Sequence, residues 1–182
     1  MIQTLIGGLI AGIVIGKCLL GGDKVIKIRK HTEGDSRVAK EIPTFNAFEN
    51  ANIAHRFDVK ALMEFCAEEL KIYGGWHDWT KTSKPYYARM FYRDLCDTIE
   101  GRMKFTDGEW AKMHYEGERH HLNEHCPDDV NMFDVIEMIC DCVAAGMARS
   151  GEVYDVDIPS DVLKRAVSNT VEYLKGYVEV TE

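Results

Sequence analysis

Histidine and aspartate recur along the chain in the order His55, His77–Asp78, His114, His120–His121 and Asp141. Neutral imidazoles suit Mn, Fe, Co, Ni or Zn, and a carboxylate such as Asp78 can bridge two such ions. An ion held this way lowers the pKa of a bound water, so that hydroxide forms near neutral pH, and it neutralises charge building on a phosphoryl oxygen. Lys81 follows Asp78 by one helical turn. It could contact a phosphate or a transition state, but the same spacing also suits a surface lysine or a salt bridge to Asp78. Six of the seven histidines fall between positions 55 and 125.

Each cluster also has a plainer reading. GGWHDWTKTSK, residues 74–84, is by itself a glycine-started turn holding a common dipeptide. In EWAKMHYEGERHHLNEH, residues 109–125, a 100° step puts Trp110, His114, Gly117, His121 and His125 on one broad face. Gly117 within that helix costs about 1 kcal/mol against alanine. The helix is therefore expected to loosen or break there, which would bring His120 round towards His121. With Glu116, Glu118 and Arg119 beside them, the same histidines also fit a solvated polar face.

Asp141 sits among Ile139, Cys140, Cys142 and Val143, with Asp134 and Glu137 on its side at i−7 and i−4. Facing inward, a carboxylate costs several kcal/mol unless a partner is supplied. Facing outward, the three form the solvent stripe of an amphipathic helix, and the spacing permits both. His55 alone reads as a cap or packing residue. Trp76, Trp79 and Trp110 could wall a base-binding pocket, although core packing is the plainer use of each.

Taken together and in order, these residues resemble the H…HD…D pattern of the HD-domain superfamily of metal-dependent phosphohydrolases. HDWTK looks like the HD-[IL]-G-K form found in part of that superfamily, with Trp79-Thr80 in place of its aliphatic-glycine pair. More narrowly, HDWTK…W-x-x-x-H-Y-x-x-x-x-H-H is similar to a small, largely uncharacterised family found in phages and bacteria. The resemblance covers residues 50 to 150. It implies an HD-like helical bundle in which His55, His77, Asp78 and Asp141 meet at one cation. His114, His120 and His121 would be the extra ligands that let some members hold two. It also implies a phosphoester substrate, a nucleotide before others; by the chemistry set out above, Asp78 and Lys81 are the expected catalytic residues.

The elements that must position these residues read as helices. Residues 58–74 carry Val59, Leu62, Met63, Cys66 and Leu70 on one face and close on Gly74 and Gly75. A second helix spans 84–102, opened by Pro85. A third starts at a Thr106–Glu109 capping box and runs towards Pro127. Residues 131–151 and 159–176 complete the set, while GEVYDVDI at 151–158 looks extended with no second candidate to pair with it. The expected fold class is all-α, with residues 47–182 as the domain and 23–46 as a linker.

Residues 1–22 differ in kind. The run 2–20 holds Lys17 as its only charged side chain and as a helix spans about 28 Å, close to a bilayer's hydrocarbon thickness. Gly8, Gly12 and Gly16 form a small-xxx-small face suited to helix self-association. Lys17, Lys24, Lys27, Arg29 and Lys30 lie at or just after the C-terminal end of the run, so a single-pass membrane anchor is expected, with the positive-inside rule placing the domain in the cytoplasm.

The net charge of −8 excludes general nucleic-acid binding. The six cysteines contain no C-x-x-C pair and suit a reducing compartment. Two other readings stay open. One is a non-catalytic, membrane-attached helical interaction protein with a structural or vestigial metal site. The other is a soluble protein whose glycine-rich N-terminal helix packs in the core or mediates assembly.

Overall fold

The computed structural model describes residues 24–30, 40–82 and 84–181. They are mostly helical, in the order β1 (Ile26–Arg29), α1 (Phe45–Trp76), α2 (Trp79–Thr82), α3 (Pro85–Ile99), a 3-10 turn (Phe105–Asp107), α4 (Glu109–Gly117), α5 (Met132–Arg149), α6 (Ser160–Lys175) and β2 (Val178–Thr181). The chain divides into two compact units, one running to Glu69 and resuming at Tyr173, the other spanning Leu70–Glu172.

In the first unit β1 and β2 pair in parallel, with Ile26 opposite Val178 and Arg29 opposite Thr181. β1 lies inside the segment read as linker. Its partner comes from the far end of the described chain, so no local pattern announces the pairing. Nearby, Phe65 packs on the rings of Tyr173 and Tyr177 at 6.2 and 4.6 Å. The Tyr173 hydroxyl donates to the buried carboxylate of Glu69 at 2.6 Å.

Helix α1 starts at Phe45, well before the expected boundary at residue 58, because no breaker interrupts the stretch. Gly74 and Gly75 stay helical, and the stop comes at His77–Asp78 instead.

The expected single-pass membrane placement is corrected: among the described residues no helix is long and apolar enough to cross a bilayer. At 32 residues α1 has the length. It is studded with Glu49, Arg56, Asp58, Lys60, Glu64, Glu68, Glu69 and Lys71, each of which would have to leave water to enter hydrocarbon. The run 2–20, with Gly8, Gly12 and Gly16, lies outside the described residues.

The second unit has two small cores. Met90 of α3 packs with Trp110 and Ala111 of α4, joined by Phe91 and Phe105. Leu122 and Val130 pack with Val135 and Met138 of α5 and with Val162 and Ala166 of α6. Pro85 opens α3 as expected. The Thr106–Glu109 capping box does not form, and α4 starts at Glu109 with Gly108 as its N-cap. The orphan amide of Trp110 is satisfied from another helix, donating at 2.8 Å to the buried carboxylate of Asp94.

A capping box does open α5, where Asn131 accepts from the amides of Phe133 and Asp134 and the Asp134 carboxylate accepts from the amide of Asn131. GEVYDVDI forms no strand; it passes close over α5, where the amide of Tyr154 donates to the carbonyl of Cys142 at 3.3 Å.

That close passage explains Gly146. A Cβ there would stand 2.4 Å from the Glu152 carbonyl oxygen and 2.6 Å from the Tyr154 amide nitrogen, both backbone atoms. Gly146→Ala is therefore expected to destabilise the chain by about 1–3 kcal/mol, read as a lowered denaturant midpoint. Unchanged stability would mean that the 151–158 segment does not lie against α5.

Candidate metal centre

The centre is built on a turn. Helix α1 ends at Trp76, α2 begins at Trp79, and between them Asp78 takes a φ of 57°, alone in the left-handed region among described non-glycine residues. Aspartate tolerates this conformation better than most side chains, at a cost of order 1 kcal/mol. The Lys81 amide donates to the Asp78 carbonyl at 2.9 Å and starts α2. The Lys81 ammonium closes on Oδ2 of the same residue.

The second half comes from the break in α4. At Gly117 the helix stops, and the amide of Glu118 makes its last bond, to the carbonyl of His114 at 2.9 Å. Arg119 then clamps the turn to α5, with two 2.8 Å bonds to the buried carboxylate of Asp134 and one to Asp129. The clamp turns His120 and His121 inward together. A continuous helix would have splayed them about 100° apart.

Asp78 lies at the meeting point. Its Oδ1 is 3.4 Å from His114 Nε2 and 3.9 Å from His120 Nε2. Its Oδ2 is 3.4 Å from His77 Nε2, which is 3.4 Å from Asp141 Oδ1. His121 Nε2 and His114 Nε2 stand 2.8 Å apart. Asp78, His114, His120 and His121 could therefore hold a metal ion, and His77, His120 and Asp141 form a second such group sharing His120. Tetrahedral ligands at 2.0–2.1 Å from an ion stand roughly 3.3 Å from one another, close to most of these separations. Asp78 Oδ1 and both ring nitrogens of His120 are buried with no hydrogen-bond partner. Buried polar atoms are rarely left so, and a cation would satisfy the two that face inward.

The imidazoles present their outer nitrogens to carboxylates or a hydroxyl. Glu137 Oε1 lies 3.0 Å from His77 Nδ1 and 3.1 Å from His120 Nδ1. Thr80 Oγ1 lies 2.6 Å from His114 Nδ1. The ring of His114 also stacks on Trp110 at 4.4 Å, which places that tryptophan in the core, supporting the site from behind.

The charges pull in opposite directions. Hydrogen bonds that His77 donates to Asp141, Asp78 and Glu137, in that order of effect, push it up to about 12. Burial, with the neighbouring His121, pushes His114 down to about 3; burial and the neighbouring His120 push His121 down to about 4. Asp141 is lowered chiefly by its bond to His77. Glu137 and Asp78 are lowered despite burial, by His120 and His77 in the first case and by His77 and Lys81 in the second. Three carboxylates thus surround a position that calls for positive charge, beside two imidazoles kept neutral.

Of the residues singled out from the sequence, His77, Asp78, His114, His120, His121 and Asp141 come together, with Lys81 at their edge. His55 joins neither group; it is an exposed residue of α1 in the first unit. Three further residues belong to the centre. Glu137 was visible as the i−4 neighbour of Asp141, on a face whose direction the spacing left open. Thr80 and Glu118 carried no signal, because Glu118 is an ordinary surface type in sequence and is buried only once the helix breaks before it.

Fold and site thus define a mostly helical protein with a histidine–aspartate cluster that could hold a metal ion. A family model described as "Family of unknown function (DUF5662)" matches residues 44–175, and the chain belongs to that family. No curated protein and no solved structure matches it.

The shifted groups predict the pH dependence of stability in the presence of chelator. His114 and His121 have folded values below the ordinary 6.5, so the unfolded chain binds protons that the folded one refuses, and stability falls as pH drops below 6.5. Asp141 and Glu137, lowered from 3.8 and 4.5, add to the loss below that. His77 is raised, so its contribution is complete below 6.5 and is lost as pH rises towards 12. Melting temperatures should peak near pH 6.5. His121→Asn should flatten the acid limb and His77→Asn the alkaline one; limbs of unchanged slope would contradict these assignments.

Proposed function

We propose that this chain is a metal-dependent phosphohydrolase of the HD type, cleaving a phosphoester with nucleotides as the substrate class. The observation that carries the reading is the convergence of His77–Asp78, His114, His120–His121 and Asp141, four separate stretches of sequence, into two adjoining ligand groups that share His120. The H…HD…D resemblance supplies the reaction class and the preference for nucleotides. His55 belongs to neither ligand group, so the first histidine of that pattern is not among the residues on which the reading rests.

The donor set of imidazoles and carboxylates suits Mn, Fe, Co, Ni or Zn. The donor set would hold one or two ions, the two ligand groups sharing His120. Bound there, such an ion supplies Lewis acidity, making water acidic enough to ionise near neutral pH and drawing charge from a phosphoryl oxygen. The chain's own residues do the rest. Asp78 holds the two groups in register. To serve as a ligand His77 would have to give up a proton, so metal binding would strengthen as pH rises. Lys81, beside Asp78 Oδ2, brings positive charge to the edge where a phosphate would lie.

A second reading keeps the metal but not the catalysis, as a structural ion in a helical interaction protein. Exposed apolar stripes at i, i+4 and i+8 favour it, namely Ile139, Val143 and Met147 on α5 and Leu163, Val167 and Val171 on α6.

Elemental analysis of the gently purified chain, followed by a panel of nucleotides and phosphodiesters, separates the readings. The expected result is transition metal in the preparation, with hydrolysis of at least one panel member. Asp78→Ala is expected to lose both the metal and at least 100-fold of the rate while far-UV circular dichroism stays helical. Folded wild-type chain devoid of transition metal would sink the phosphohydrolase reading. Metal without hydrolysis would favour the interaction protein.

A further inference from the structure

Thr80 is fully buried and Glu118 nearly so, both directly behind His114. Glu118 Oε1 lies 2.9 Å from the Thr80 amide nitrogen and 2.7 Å from Thr80 Oγ1. An amide can only donate, so Oε1 accepts from it, and the Thr80 hydroxyl donates to the same oxygen, which has lone pairs for both. A threonine hydroxyl has one proton. With that proton on Glu118, Oγ1 can only accept from His114 Nδ1, 2.6 Å away. His114 must then carry its proton on Nδ1, and Nε2 is left with a bare lone pair. That lone pair faces Asp78 Oδ1 at 3.4 Å and His121 Nε2 at 2.8 Å.

We propose that Glu118 and Thr80 form a positioning relay that sets the tautomer and ring orientation of His114, so that Nε2 is presented as a ligand to a divalent transition ion. This inference rests on the metal reading of the site and goes beyond it, since the resemblance has glycine where this chain has Thr80 and assigns no role to Glu118. The reverse arrangement, with Thr80 donating to Nδ1, would strip Glu118 of a bond and put a proton on Nε2, where it would block coordination. Partners behind a ligating histidine act in this way on metal affinity, typically by about 10–100-fold. The buried floor of the relay is closed by Trp110, whose indole N–H reaches the Thr80 carbonyl at 3.4 Å and whose ring stacks on His114.

Two measurements on the full chain test the relay. Long-range ¹H–¹⁵N correlation of histidine-labelled, metal-free protein reads the tautomer directly. The unsubstituted chain, Thr80→Ser and Glu118→Gln should all show His114 protonated on Nδ1, because each keeps the acceptor and the hydroxyl. Thr80→Val should show a mixture or the Nε2–H form. Calorimetric titration with Co²⁺ should give Thr80→Val an affinity about 10–100-fold below wild type, with Thr80→Ser close to wild type.

A wild-type chain protonated on Nε2 overturns the relay, and that reading decides the matter even if Thr80→Val does not fold. A folded Thr80→Val with unchanged tautomer and affinity overturns it too. A wild-type chain that takes up no Co²⁺ overturns the metal reading instead, and with it the ligand role of Nε2, whichever tautomer is found.

Discussion

Much of the second unit depends on where the negative charge of Asp78 is held. Its carboxylate sits at a left-handed turn between two helices, and four histidines approach its two oxygens. A carboxylate brought that far out of water costs several kcal/mol without partners. Here His77 and Lys81 supply positive charge on one side, while the neutral His114 and His121 stand on the other. The left-handed backbone of Asp78, the break at Gly117 and the Arg119–Asp134 clamp each serve to bring these groups within reach. A metal ion would answer the same demand with more charge in less space.

The arrangement has two shells. Nε2 atoms of His77, His114 and His120 face inward to Asp78, and their Nδ1 atoms face outward to Glu137 or to Thr80 and Glu118. The hydrogen bonds at Nδ1 of His77 and His114 orient those two rings, so their Nε2 atoms face Asp78 before any ligand arrives. Rigidity of this kind is what a metal site needs to select geometry. It also explains why acidic residues that look like surface types, Glu118 above all, are buried here.

Different parts of this organisation were legible to different degrees. The helices were readable from apolar spacing, Pro85 opens α3 as its fixed φ suggests, and the break at Gly117 followed from glycine's poor helix propensity. The α4 cap was misread because Thr106–Glu109 is a local signal, while the bond that forms comes from Asp94 on another helix. Apolar residues recur at helical spacing from about residue 47, but the boundary was set at 58, and nothing in 45–57 breaks the helix that starts at Phe45. The parallel pairing of β1 with β2 had no local trace at all. The membrane placement rested on residues 2–20, which lie outside the described residues, and among the described residues no helix is long and apolar enough to cross a bilayer.

For the candidate site, the sequence by itself determined the ligand types, their order and the tight pairs His77–Asp78 and His120–His121, because these are properties of neighbouring residues. Only the tertiary structure decided which of them meet. Whether Asp134, Glu137 and Asp141 faced solvent or core depended on what packed against α5, and a helical period cannot supply that. The same limit left His55 in the list although it joins neither group, and left out Thr80 and Glu118, whose roles exist only once a turn from one stretch lies against the end of a helix from another. Residue type decides what chemistry a side chain can do; its neighbours across the fold decide whether it does it.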